Sequence, residues 1–214
     1  MSSGKHRVPS RRNACTSLSS LVKVGLTVQF TRSTTRALLQ EEPIVKFPVA
    51  LGIVAGVIGG VLVWLYAGPL SALGLFAPAT FMGAACYFAA GGDPAALRKS
   101  IPANLWGIVV ATLTLLVASL VSGPALTGVV VGAGTLVMIA GGVVPFLEFV
   151  PGIVVAFAMT VGWGLLTSEA PLGLPLPLAA LLVMVISFLI GNVFGWVGGL
   201  LAGRMVAGRA TARV

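Results

Sequence analysis

The chain has 214 residues, 57% of them hydrophobic and only 8% charged, against roughly 25% charged in soluble domains. With a mean hydropathy of +1.07, it cannot be a water-soluble enzyme, a disulfide-stapled secreted domain or a disordered chain. The formal charge of +8 would suit a nucleic-acid surface, but its layout does not.

Eight bases precede Phe47 and Arg204, Arg209 and Arg213 follow Gly203; only Arg98 and Lys99 lie between. Bases that flank apolar spans orient a protein in the bilayer by the positive-inside rule. No nucleic-acid partner is therefore expected. Cys15, Cys86 and the single His6 have no metal or disulfide spacing, so no metal and no cofactor are expected.

Residues 1–46 form a basic segment, free of acids up to Gln40 and rich in Ser and Thr, in which Val22, Val24, Leu26, Val28 and Phe30 alternate with polar residues like a strand. Three readings stand side by side: a disordered cytoplasmic tail, an organellar targeting segment, and a start assigned too early, with translation beginning at Val45. Six apolar spans are predicted next, at about 47–66, 70–90, 101–121, 126–146, 149–166 and 178–202. Each is long enough to cross roughly 30 Å as a helix, and an unpaired backbone in lipid admits no other form. Residues 47–203 thus read as an all-α polytopic domain of six transmembrane helices, and 204–214 as a short basic cytoplasmic tail. With the N-terminus inside, six spans place all 13 bases in the cytoplasm. The expected location is the bacterial inner membrane with both termini cytoplasmic.

Phe76-Ala77-Pro78-Ala79 recurs 73 residues later as Phe149-Val150-Pro151-Gly152. Gly56 and Gly60 recur as Gly128 and Gly132, 72 residues on. Asn104-Leu105-Trp106-Gly107 resembles Asn192-Val193-Phe194-Gly195. Three spans per half would make the halves an inverted 3+3 repeat, a transporter architecture with its site near the midplane; the competing reading is chance among common residues.

Small residues recur every fourth position at Gly52, Gly56 and Gly60, at Gly152, Ala156, Thr160 and Gly164, and at Gly191, Gly195, Gly199 and Gly203. That spacing predicts helix-packing grooves rather than a pore lining. Pro78 and Pro151 read as packing kinks or as broken helices that turn carbonyls toward a solute. Asn104 and Asn192 are the most polar side chains deep in apolar segments, and read equally as interhelical glue or as solute contacts. Together with Thr80 and Trp196 these prolines and asparagines form the expected transport pathway. Trp64, Trp106, Trp163 and Tyr66 read as interfacial anchors. Glu148 reads as an interfacial charge, and no carboxylate lies clearly at mid-membrane. No catalytic motif is present, so an enzyme is not expected.

The run FAPATFMGAACYFAAGG from Phe76 to Gly92, Phe149-Val150-Pro151-Gly152 and Gly191-Asn192-Val193-Phe194-Gly195 resemble domain-of-unknown-function family 1097, small bacterial multi-pass inner-membrane proteins. The resemblance covers about 47–203. It implies a membrane protein and carries over no reaction, cofactor or site. The expected function is a permease or channel-like facilitator of a small neutral or weakly polar solute. The alternative is a non-transporting scaffold or partner subunit of a membrane complex. Besides the bilayer, the partners these features point to are a small solute and a second copy of the chain.

Overall fold

A computed structural model describes residues 46–167 and 171–211. The tail up to Val45, with its three readings and its strand-like alternation, and Glu169 lie outside the described residues. The described part is all helical: α1 Phe47–Ala67, α2 Ala77–Ala89, α3 Pro94–Ala118, α4 Pro124–Ala140, α5 Val150–Leu166 and α6 Leu176–Thr211. Short 3-10 turns lie in the links after α1, α4 and α5.

Proline punctuates the chain. Pro48, Pro78, Pro94, Pro124, Pro151 and Pro177 each stand first or second in a helix, where a missing N–H costs no intrahelical bond. This corrects the reading of Pro78 and Pro151 as kinks that free a carbonyl: both open helices. Among the described residues the proline inside a helix is Pro102, which leaves the Arg98 carbonyl without its helical partner.

Helix starts also correct the lengths. The predicted second span is helical only from Ala77, because Pro78 cannot continue a helix from upstream and Gly74 turns the chain at φ +61°. Helix α2 therefore has 13 residues and α5 has 17, about 20 and 25 Å. Four helices are long and apolar enough to cross a membrane: α1, α3, α4 with its extension to Val143, and α6.

Helices α3 and α6 form the centre. They pack on each other, α2 packs mainly on α6 and α5 mainly on α3, while α1 lies on α6 and α4 on α3. The closest approaches are at glycine. A Cβ on Gly83 would stand 2.6 Å from the Phe188 carbonyl oxygen, and one on Gly191 would overlap the Thr80 carbonyl. Likewise a Cβ on Gly107 would overlap the Ile153 carbonyl and lie 3.1 Å from Ala156. Gly195 fits against Ala84 and Tyr87, and Gly199 makes ordinary contact with Phe88. Such approaches suit a medium in which van der Waals packing rather than water expulsion holds helices together.

Gly52, Gly56 and Gly60 are different. Each is exposed with nothing within 4 Å of its Cβ position, as are Gly128 and Gly132. They are not packing positions among the described residues. Helix α1 turns its Ala50, Val54 and Gly59 face inward instead, with Gly59 against the rings of Phe81 and Phe194.

The contacts set helix direction. Thr80, Ala84 and Phe88 meet Gly191, Gly195 and Gly199 in order, so α2 and α6 are parallel; Gly107 and Leu115 meet Ala156 and Gly164, so α3 and α5 are parallel. Trp106 and Thr114 meet Gly141 and Gly134, so α3 and α4 are antiparallel, as are α1 and α6 through Leu51–Gly198 and Gly59–Phe194. The link from α2 to α3 is a tight reversal. Gly91 and Gly92 take φ +127° and +68°, the Tyr87 hydroxyl donates to the Gly92 carbonyl (2.7 Å), and Asp93 caps α3 by accepting from the Ala96 N–H (2.7 Å). Odd and even helices thus run in opposite senses. Lys46, Arg98, Lys99, Glu148 and Arg204 fall at one end of the bundle.

Gly191→Leu and Gly107→Leu are expected to lower stability by about 3 kcal/mol or to prevent folding, because the obstacle is backbone. Gly56→Ala and Gly132→Ala, with open space and better helix propensity, are expected to leave it unchanged or raise it by up to about 1 kcal/mol. Thermal unfolding in detergent checks the contrast.

A candidate polar site at the central helix crossing

Among the described residues the buried polar ones are Thr80, Ser100, Asn104, Thr114, Thr160, Ser187 and Asn192, none with a formal charge. Most have local partners. Thr114 and Thr160 donate to the carbonyls one turn back, of Val110 (2.8 Å) and Ala156 (2.7 Å). Thr80 Oγ1 lies 3.1 Å from the Tyr66 hydroxyl, which ties α1 to α2. Tyr66 is thus a buried link and not an interfacial anchor. Trp106 is not a simple anchor either: its Nε1–H donates to the Met138 carbonyl (3.1 Å) and fastens α3 to α4. Trp64, at 66% exposure, stays on the outer surface.

The two asparagines separate. Asn192 is satisfied: Oδ1 accepts from the Ser100 hydroxyl at 2.5 Å and Nδ2 donates to the Phe188 carbonyl at 2.9 Å. It joins α6 to α3. Asn104 is 1% exposed, and neither its Oδ1 nor its Nδ2 has a partner. Its Oδ1 lies 3.1 Å from where a Cβ on Gly152 would stand, in the first turn of α5. The unserved amide therefore faces the start of a short helix. At the start of the other short helix, Ser187 of α6 accepts from the Phe76 N–H at 3.1 Å.

The two Asn-x-aromatic-Gly tetrads are used differently at the crossings. Thr80 and Gly83 cross α6 at Gly191, while Ile153 and Ala156 cross α3 at Gly107. The glycine at the α5–α3 crossing thus lies inside its tetrad, whereas Gly191 at the α2–α6 crossing precedes the second one.

Phe76 and Phe149, which immediately precede the two short helices, both pack on one cluster of Ala79, Cys86, Ile108, Ala156, Met184 and Phe188. Beside Phe76, a cleft of about 350 Å³ opens along α5 past Met159, Gly162, Trp163 and Thr167. The expected pathway is thus partly assembled. Thr80 and Asn192 lie at the α2–α6 crossing and Asn104 at the start of α5, whereas Pro78 and Pro151 are exposed helix openers and Trp196 is half-buried without a hydrogen bond among the described residues. Sequence reasoning misses Ser100, Ser187, Phe76 and Phe149 as parts of this site. The four-residue spacing of Ser100 and Asn104 is the available signal, since it puts both on one face of α3. No group of three or more His, Cys, Asp or Glu that could hold a metal lies among the described residues.

The model of the family described as "Protein of unknown function (DUF1097)" matches residues 52–203. The chain belongs to this family. No curated protein and no solved structure matches it. The matched stretch of this DUF1097 protein includes every residue of the crossing, from Tyr66 to Asn192. It is a helical membrane protein whose most unusual buried group is an amide without a partner.

The asparagines should respond oppositely to substitution. Asn192→Leu strands the buried Ser100 hydroxyl and is expected to cost about 1–3 kcal/mol. Asn104→Leu removes two unserved polar atoms and is expected to leave the melting temperature unchanged or raised. Unfolding followed by tryptophan fluorescence in detergent distinguishes them.

Proposed function

We propose that this protein is a facilitator, not an enzyme, that passes a small neutral or weakly polar solute across the bacterial inner membrane. The observation that carries this reading is Asn104. A buried amide with neither polar atom paired carries a desolvation cost of about 1–3 kcal/mol that a passing hydrogen-bonding solute would relieve. Neutral solutes are favoured because no buried residue among those described is charged; charged cargo needs ionisable partners in the membrane. Small size is favoured because Phe76, Phe149 and the cluster between them fill the centre.

The same reading takes the helices as six spans in two inverted halves. Exchanging α1 with α4, α2 with α5 and α3 with α6 leaves the packing pattern unchanged, and the two short helices occupy corresponding places. Paired short segments of this kind point to the transport site in inverted-repeat proteins. Alternating helix directions and the charges at one end support cytoplasmic termini.

The second reading is a scaffold or partner subunit. It is favoured by the exposed Gly52, Gly56, Gly60, Gly128 and Gly132, which have open space beside them where another backbone can approach.

In proteoliposomes, stopped-flow light scattering with water, urea and glycerol gradients is expected to show at least one permeability above empty vesicles. Asn104→Leu is expected to reduce it by about tenfold, the rate equivalent of roughly 1.4 kcal/mol, while the protein stays folded. No excess permeability to any of them, with a second membrane protein co-purifying, would favour the scaffold. A reporter fused after Val214 is expected to be active only on the cytoplasmic side; activity on the far side overturns the six-span topology.

A further inference from the structure

Helix α4 stops at Ala140, beside Trp106 of α3, and α3 continues toward the basic end for a further dozen residues, about 18 Å. The link from Gly141 to Phe149 covers this stretch only partly. Between them lies a cleft of about 420 Å³, walled by Pro102, Leu105, Trp106 and Val109 of α3 and by Val144 and Phe146 of the link. Its one side-chain donor, Trp106 Nε1–H, is committed to Met138. The cleft is therefore wholly apolar and opens on the surface that lipid would touch.

Its rim is basic. Arg98 precedes Pro102, Leu105 and Val109 by four, seven and eleven residues, so it stands on the same face of α3 above the cleft. Lys99 precedes Pro102 and Trp106 by three and seven. Arg98 is exposed and has no carboxylate partner among the described residues. Lys99 lies 3.8 Å from Glu148, with the two side chains 53% and 64% exposed, a pairing too solvated to hold it firmly. Two cations and one carboxylate leave the rim net positive.

We propose that this cleft is a binding site for an anionic phospholipid, with one acyl chain between α3 and the α4–α5 link and the phosphate on Arg98 and Lys99. The shape selects a chain, because an apolar slot inside a bilayer is filled by lipid. The charge selects the headgroup: cations at the surface attract anionic lipid, and a basic pocket beside membrane helices holds it in place. The site is independent of any transport activity.

Quenching of Trp106 reads occupancy directly. A single-tryptophan protein (Trp64→Phe, Trp163→Phe, Trp196→Phe) is reconstituted in phosphatidylcholine vesicles. These carry equal fractions of phosphatidylglycerol or phosphatidylcholine with brominated chains. Brominated phosphatidylglycerol is expected to associate at least fivefold more strongly, the fold-change of about 1 kcal/mol per surface cation. Arg98→Gln with Lys99→Gln is expected to remove the preference, and Glu148→Gln to increase it. Lys46→Gln with Arg204→Gln is expected to leave it in place. Equal quenching by both lipids overturns the proposal. So does a preference that survives R98Q/K99Q or is lost equally in K46Q/R204Q, since either means general surface attraction. If the triple phenylalanine variant does not fold, the R98Q/K99Q comparison in the four-tryptophan protein separates the same outcomes.

Discussion

Everything in this fold depends on backbone meeting backbone at two helix crossings. In lipid, apolar side chains gain nothing by leaving the solvent, so helices adhere through close contact and interhelical hydrogen bonds. Here α2 lies on α6 at Gly83 and Gly191, and α5 lies on α3 at Gly107, with carbonyl oxygens where side chains would otherwise stand. These contacts hold the two short helices, of 13 and 17 residues, against the two long ones. Once α2 and α5 are seated, α1 and α4 need only one side of contact. They keep it through Tyr66–Thr80 and Trp106–Met138.

Seating the short helices also sets the polar interior. Where α2 begins, Ser187 accepts from a main-chain N–H. Where α5 begins, Asn104 is present and unserved. The Ser100–Asn192 bond closes the α3–α6 interface one turn away. In a medium without water, two of these three arrangements are complete, and the third leaves a buried amide without a partner. That difference is why Asn104, rather than Asn192, anchors the proposed pathway.

The two ends of the bundle are unlike. One carries the described charges and the apolar cleft with its basic rim; the other, among the described residues, carries none. The truncated α4 is the physical cause of the cleft, since α3 runs on past its neighbour and the link cannot cover it. Outward-facing glycines on α1 and α4 have no partner among the described residues, so the same residue type serves close packing on α6 and open surface on α1.

By itself the sequence determined the class, the family resemblance, the all-helical character and most boundaries. Hydropathy over about 20 residues and the backbone's need for internal hydrogen bonds leave little choice in a bilayer. It was also sufficient for the charge layout, because position along the chain is all that layout requires. Only the tertiary structure decided which glycines touch anything: a four-residue stripe defines a helix face, but not whether that face turns inward, and Gly52, Gly56 and Gly60 turn out. Pro78 and Pro151 became helix starts because a turn preceded each, which depends on where the chain reverses. Asn104 and Asn192 look equivalent in sequence and part company in the fold. Whether a buried amide is satisfied depends on what lies across the interface, and Ser100, 92 residues away from Asn192, is brought there only by the crossing of α3 and α6.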